Sequence, residues 1–239
     1  VDEHRRKISK SDGSPQTAEA YTNKYGADIL RLWVASEDYR NDIPVSENII
    51  QHVIASYRTL RNTLRFQLGN LYDYNPNTDH VTYDKLMALD RWVLRETNDL
   101  VREIVQAYDD YDFHKVYQAV NRFCTLTLSA RYHDILKDRL YTLRADGFER
   151  RSAQTALYEV CQTLLRLIAP ILTFTADEAW GYLYGNSDFG YKQSIHLEDF
   201  PKVNPDYDDA TLKEEFELLF KVREQVQAEL EKSRQKKEI

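Results

Sequence analysis

Two lysines and two serines near the start of the chain are spaced for contact with a polyphosphate. The run is Lys7-Ile8-Ser9-Lys10-Ser11, and Asp12-Gly13-Ser14-Pro15 follows it. Lysine ammonium groups neutralise charge that moves during phosphoryl transfer, serine hydroxyls donate hydrogen bonds, and Gly13 permits a tight turn. The pattern is compatible with a phosphate-binding loop, but short Lys/Ser runs are common and the residues alone favour a solvated basic linker.

Three arginines on the first long helical pattern form a second candidate site, in a stretch (48–72) that contains no acidic residue. At about 100° per residue, Arg58, Arg61 and Arg65 lie along one edge of the apolar stripe, with Asn62 beside them. Guanidinium groups pair with phosphates, stack on bases and donate two hydrogen bonds at once. Contact with RNA is therefore one interpretation of this edge. The alternative is a solvated edge whose arginines pair with acids on a neighbouring helix.

A second set of basic residues is spread over 115–144 and is interrupted by Asp134 and Asp138. Its members are Lys115, Arg122, Arg131, Lys137, Arg139 and Arg144. Because these charges point in several directions around their helix, most are expected to be ordinary solvated charges, with a minority near RNA.

The composition of the chain is that of a globular, mainly helical protein. The chain has 239 residues, of which 42% are hydrophobic and 30% charged, as in an ordinary globular protein. Only 7 glycines and 6 prolines occur, which disfavours an all-β fold with many tight turns and favours helices. The formal net charge of −7 argues against indiscriminate nucleic-acid binding. An acidic protein can still bind nucleic acid through one basic face, so the net charge does not exclude such binding.

The cysteines and histidines give no metal-binding pattern. Cys124 and Cys161 lie far apart in apolar runs, without a closely spaced histidine, so they are predicted to be packed thiols and no zinc site is expected. Unpaired cysteines are typical of a reducing, cytoplasm-like compartment. No apolar run approaches the ~20 residues that a membrane span needs.

Helices must position both candidate sites. They are predicted from Pro15 to Gly26, over 27–36, from an N-cap at Ser46 to about 71, over 84–108, 113–136, 152–168 and 172–183, and from a capping box at Thr211 onward. Leu30, Trp33 and Val34 are predicted to point inward. Pro170 should split a helix. Residues 72–83 form a loop, and 194–197 are predicted to be a short strand.

The motifs, in their order along the chain, resemble class I aminoacyl-tRNA synthetases. Residues 7–11 resemble the KMSKS signature, with Ile8 in the Met position, although 12–14 depart from the commoner Leu-Gly-Asn. Residues 25–33 resemble the stem-contact region that links the catalytic fold to the anticodon-binding bundle. Residues 57–66 resemble the isoleucine enzyme in particular, as do blocks further on at 113–140, 169–180, 194–200 and 222–233. The resemblance therefore covers essentially the whole chain.

The resemblance implies that the chain is the tRNA-binding, anticodon-stem-facing part of an isoleucyl-tRNA synthetase. The whole enzyme would be an ATP-dependent ligase that uses ATP with Mg²⁺ to make an isoleucyl adenylate and transfers the amino acid to its tRNA. By this resemblance Lys7 and Lys10 would be catalytic and, with Ser9 and Ser11, would bind ATP. The chain alone is expected to retain no cofactor and to be catalytically inactive.

The expected fold is an all-α antiparallel bundle of the class Ia anticodon-binding type with a small N-terminal loop and stem-contact segment. The expected division is 1–45 for loop and stem contact, 46–208 for the bundle, and 209–239 for a C-terminal helix leading to a downstream region. Expected partners are isoleucine tRNA, held by the α-helical arginine edge with Asn62, and the remaining domains of the same polypeptide. DNA and membranes are not expected partners. A cytoplasmic monomer is expected.

Two alternatives remain open at the level of sequence. One is a helical module that binds protein rather than RNA through the same grooves. The other is the equivalent region of a valyl or leucyl synthetase.

Overall fold

The computed structural model describes Val1, Arg6, Ile8, residues 17–184 and residues 194–237. The predicted phosphate-binding side chains Lys7, Ser9, Lys10 and Ser11 lie outside the described residues. Within the described ranges helices are the only regular elements, which confirms the all-α fold class.

Two short helices come first. α1 spans Ala18–Tyr25, and the Thr17 hydroxyl accepts a hydrogen bond from the Ala20 N–H at 3.2 Å. It ends at Gly26, whose φ of 91° is a conformation that glycine adopts readily, as the sequence predicts. α2 spans Ala27–Ser36.

The buried face of α2 differs from the predicted one. Trp33 and Leu30 are only partly buried and Val34 is 48% exposed. The apolar residues that are buried are Ile29, Leu32 and Ala35. Asp28 also lies on the buried face, because its carboxylate accepts hydrogen bonds from a later helix. A prediction from apolar residues alone places Asp28 in solvent and therefore assigns the wrong face of α2 to the core.

α3 carries the predicted arginines and spans Glu47–Asn70. The Ser46 hydroxyl accepts a hydrogen bond from the Ile49 N–H at 3.3 Å, which confirms the predicted N-cap. Ile50 and Leu64 are among the buried residues of its inner face, which packs against α2 and against helices later in the chain.

α4 spans Ala88–Asp109 and therefore begins four residues after the predicted start at position 84. A short 3₁₀ turn, Tyr83–Lys85, precedes it. The Met87 N–H donates to the Ser152 hydroxyl at 2.9 Å, so the chain is attached to the neighbouring helix before α4 begins.

The predicted helix over 113–136 is three elements. α5 spans Phe113–Arg122, a π-helical stretch spans Phe123–His133, and α6 spans Asp134–Thr142. The Ser129 hydroxyl donates to the Cys124 carbonyl five residues earlier, at 2.7 Å. The wider winding shifts the rotation of later side chains. Leu126, within the π-helical stretch, is 55% exposed.

α7 spans Phe148–Ile168, begins four residues before the predicted Ser152, and lies against α3, α4 and α6. Pro170 interrupts the helix as predicted. α8 then spans Thr173–Tyr184. Arg31 of α2 donates to the carbonyl oxygens of Pro170 (2.6 Å) and Ile171 (2.9 Å), which ties α2 to this break.

The predicted strand at 194–197 is wrong, because Ile195–Leu197 forms a 3₁₀ helix whose first N–H groups are held by Ser194 and Asp177. α9 spans Ala210–Gln235. Its N-cap is Asp209, whose carboxylate accepts from the Leu212 N–H at 2.9 Å, rather than the predicted Thr211. The carboxylate of Asp209, two residues before Thr211, gains more from the helix dipole than the threonine hydroxyl.

Among the described residues no helix is both long and apolar enough to cross a membrane.

Candidate nucleic-acid interface

The structure brings the four predicted RNA-contact residues together on α3. Arg58, Arg61, Asn62 and Arg65 are all exposed. Seven residues of helix at 1.5 Å each place the outer two about 10 Å apart along the axis. We call Arg58, Arg61 and Arg65 the arginine stripe.

No member of the arginine stripe forms a salt bridge with a carboxylate of the described residues, and only Arg61 feels a nearby acid, Glu178 on α8. This disfavours the alternative that the stripe as a whole pairs with acids on a neighbouring helix. Every other exposed arginine within 17–184 and 194–237 has a carboxylate or carbonyl acceptor. These arginines are Arg31, Arg40, Arg102, Arg122, Arg144 and Arg234. Among the described residues the stripe therefore presents positive charge without a salt-bridge partner, on a chain whose net charge is negative.

The second basic set has the opposite character, because each member forms an ion pair. The pairs are Lys115–Asp112, Arg122–Glu103, Arg131–Glu224, Lys137–Asp134, Arg139–Asp90 and Arg144–Asp146. Arg139 is also not the solvated charge that the sequence predicts, since its side chain is 14% exposed and Asp90 is fully buried.

Arg61 differs from its two neighbours in having a polar contact. Its Nη1 donates to the Tyr57 hydroxyl at 3.4 Å. This hydrogen bond, together with the negative charge of Glu178 on α8, raises the pKa of Arg61 above its ordinary value. Arg61 thus stays cationic and faces the side of α3 that meets α8.

An open cleft of about 850 Å³ lies at the C-terminal ends of α3 and α8. Five tyrosines line it, together with the loop after α3 and the end of α8: Tyr72, Tyr74, Tyr158, Tyr182 and Tyr184. Tyr72 is 80% exposed and Tyr182 is 60% exposed, so both rings are accessible from solvent. Aromatic rings of this kind stack with unpaired nucleic-acid bases. We call this feature the tyrosine cleft.

The walls of the tyrosine cleft are fixed by hydrogen bonds. Tyr74 donates to Thr155 on α7 at 3.1 Å, and Tyr158 donates to Tyr184 at 3.1 Å. In the loop, Asp73 accepts from Arg150 and from Gln154 of α7. Burial acts to raise the pKa of Asp73, but these two donors outweigh it and the pKa is lowered. The loop is therefore an anchored part of the bundle.

The sequence did not reveal the tyrosine cleft. Residues 72–83 were expected to be only a connecting loop, and the two accessible tyrosines come from segments far apart in the chain. The available signal is local: Tyr72 and Tyr74 flank Asp73 directly before Asn75-Pro76, in a chain with 17 tyrosines.

Other candidate groups are structural. Trp92 and Trp180 are buried, and Trp33 is partly buried. Cys124 and Cys161 are buried free thiols, and burial raises the pKa of each to about 12. In the part of the chain that the structure describes, no group of three or more His, Cys, Asp and Glu side chains is placed to hold a metal ion.

Residues 90–239 match the family model described as the anticodon-binding domain of tRNA ligase. The chain belongs to that family. Its match begins in α4, so the arginine stripe lies just before the matched residues.

Curated relatives extend the similarity to the whole chain. The isoleucine–tRNA ligase of Persephonella marina is 48% identical over 98% of this chain, and that of Carboxydothermus hydrogenoformans is 48% identical over all of it. The isoleucine–tRNA ligase of Geobacter sulfurreducens is 46% identical over the whole chain. The chain spans only 25–26% of the length of these relatives.

A solved structure has the same fold. The LeuRS of Agrobacterium radiobacter K84, in a ternary complex with tRNA and LeuAMS, matches 88% of this chain and 24% of its own with a TM-score of 0.63. The sequence identity is 17%, so the likeness concerns the fold. The helical anticodon-binding architecture expected from the sequence is thereby confirmed.

Proposed function

We propose that this chain is the tRNA-binding part of an isoleucyl-tRNA synthetase, with the arginine stripe and Asn62 on the phosphate backbone of the anticodon stem and loop. The observation that carries the proposal is the stripe itself, whose three exposed guanidinium groups lack carboxylate partners among the described residues. Cations left uncompensated on an acidic body favour a polyanionic partner.

The tyrosine cleft supports the same function. It lies at the end of the helix that carries the stripe, so a nucleic-acid strand held by the arginines can place unstacked bases against Tyr72 and Tyr182. Phosphate contacts set position while stacking and base edges supply selectivity.

The proposal extends to the full-length protein. It would use ATP and Mg²⁺ to form isoleucyl adenylate, with Lys7 and Lys10 acting on the phosphates beside Ser9 and Ser11. The chain alone would be monomeric and would not form adenylate. We place the protein in the cytoplasm, and the buried free thiols agree with a reducing compartment.

The remaining domains of the same polypeptide are the second proposed partner. α9 exposes an apolar stripe of Leu218, Leu219, Val222, Val226 and Leu230, which are 43–64% exposed. Since the relatives are about four times longer than this chain, polypeptide is available to cover it. A cysteine placed by Val226→Cys should react quickly with maleimide in this chain and slowly in the full-length protein. Equal rates would contradict this contact.

Fluorescence titration tests the central proposal. The chain is expected to bind isoleucine tRNA about tenfold more tightly than a copy with substituted anticodon bases, because one lost stacking contact amounts to about 1–3 kcal/mol. Equal affinity for both would reject anticodon binding. In a pyrophosphate-exchange assay the chain should give no more signal than its Lys10→Ala variant.

A further inference from the structure

A series of hydrogen bonds behind the arginine stripe connects Arg61 to a buried carboxylate. Arg61 Nη1 lies 3.4 Å from the Tyr57 hydroxyl, which lies 3.0 Å from the Thr175 hydroxyl. The Thr175 hydroxyl is 2.6 Å from Asp28 Oδ2. The series therefore joins α3 to α8 and to α2.

The chemistry of the groups fixes the direction of every hydrogen bond. An ionised carboxylate only accepts, so the single proton of the Thr175 hydroxyl goes to Asp28. The Thr175 oxygen must then accept the proton of Tyr57. The Tyr57 oxygen is left with lone pairs only, and the guanidinium of Arg61 donates to it. Successive hydrogen bonds with one direction polarise each other.

The carboxylate at the inner end is held in place. Asp28 is 8% exposed and also accepts from the backbone N–H groups of Thr175 at 2.7 Å and Phe174 at 3.3 Å. These N–H groups belong to the first turn of α8, where the helix dipole favours a negative charge. The anchor is thus part of the packing between α2 and α8.

We propose that Tyr57, oriented by Thr175 and Asp28, is a positioning residue that holds the Arg61 guanidinium in place for a backbone phosphate of the tRNA. This inference rests on the proposed function. Arg58 and Arg65 have no hydrogen-bond partner among the described residues, so the restraint distinguishes Arg61 within the stripe. Ordering a long side chain before binding removes part of the entropy loss on association.

The test compares two tyrosine-to-phenylalanine variants of the chain by fluorescence titration with isoleucine tRNA. Tyr57→Phe removes the acceptor for Arg61. Tyr117→Phe is the matched control. The Tyr117 hydroxyl also forms a hydrogen bond with a hydroxyl, that of Ser56 on α3, at 2.8 Å. The rings of Tyr57 and Tyr117 are both half-buried. Tyr57→Phe should weaken binding about fivefold, the effect of one hydrogen bond, while Tyr117→Phe should bind like the parent.

A double-mutant cycle separates positioning from a general structural role. In an Arg61→Ala background, Tyr57→Phe should cause no further loss of affinity. A loss of the same size in that background would overturn the inference. Thr175→Val should weaken tRNA binding as much as Tyr57→Phe does. Thr175→Ser keeps the hydroxyl and should bind tRNA like the parent. These two variants still test the inference if Tyr57→Phe does not fold.

The outcomes distinguish this inference from the proposed function. If Arg61→Ala binds weakly but Tyr57→Phe binds like Tyr117→Phe, the positioning role fails and the tRNA site stands. If Arg58→Ala, Arg61→Ala and Arg65→Ala all bind like the parent, both fail.

Discussion

Two regions of the molecule are rich in basic residues, and they differ in whether those residues form ion pairs. In the arginine stripe of α3 the guanidinium groups have no carboxylate partner among the described residues. Over 115–144 all six basic residues named from the sequence are ion-paired. The number of basic residues therefore does not distinguish the two regions. The absence of a carboxylate partner among the described residues does, and it is our reason for proposing the stripe as the nucleic-acid interface.

The largest expected effect is on stability and lies in the paired region. Arg139→Ala would leave the carboxylate of Asp90 fully buried without its cation, although Tyr132 and Ser152 still donate to it. We expect the free energy of unfolding to fall by about 3 kcal/mol, as measured by urea denaturation. Arg144→Ala, which breaks an exposed pair, is the control and should unfold like the parent. An Arg139→Ala variant as stable as that control would contradict the distinction.

A pH-dependent effect is expected at the inner side of the same region. Burial lowers the pKa of His133 to about 3, from an ordinary value of 6.5. Below pH 6.5 the unfolded chain takes up a proton that the folded chain does not, so stability falls with falling pH. Between pH 8 and 5.5 this amounts to about 1.4 kcal/mol.

The measurement is the free energy of unfolding of the parent and of His133→Gln at both pH values. The parent should lose about 1.4 kcal/mol more than the variant. Parallel losses would show that His133 is not kept neutral by the fold.

The tyrosine cleft should respond in binding rather than in stability. Tyr182→Ala removes an exposed ring and should weaken tRNA binding about tenfold, since stacking on one base contributes about 1–3 kcal/mol. Tyr141→Ala is the control, because Tyr141 is similarly exposed (64%, against 60% for Tyr182) and does not line the cleft. Equal tRNA affinities of the two variants would remove the cleft from the interface.

Features set by neighbouring residues could be predicted from the sequence. Ser46 begins α3, Gly26 ends α1 and Pro170 separates α7 from α8, because a cap, a left-handed conformation and a missing N–H all act locally. The clustering of the stripe also follows from helical spacing alone.

Features set by distant contacts could not be predicted. The face of α2 that is buried depends on the hydrogen bonds between Asp28 and the first turn of α8. Arg139 lies largely out of solvent because it pairs with the buried Asp90. The π-helical stretch has the apolar pattern of an ordinary helix. The tyrosine cleft forms only when the ends of α3 and α8 meet, so the sequence showed its residues without their arrangement.

The central claim is that unpaired arginines, and not basic residues in general, bind the tRNA backbone. Its most direct test is tRNA affinity as a function of salt concentration for Arg58→Ala, Arg65→Ala and the paired control Arg122→Ala, whose guanidinium binds Glu103. Each α3 variant should bind about tenfold more weakly at low salt. Each should also lower the slope of log affinity against log salt by about one unit. Arg122→Ala should match the parent. Identical slopes for all three variants and the parent would contradict the account.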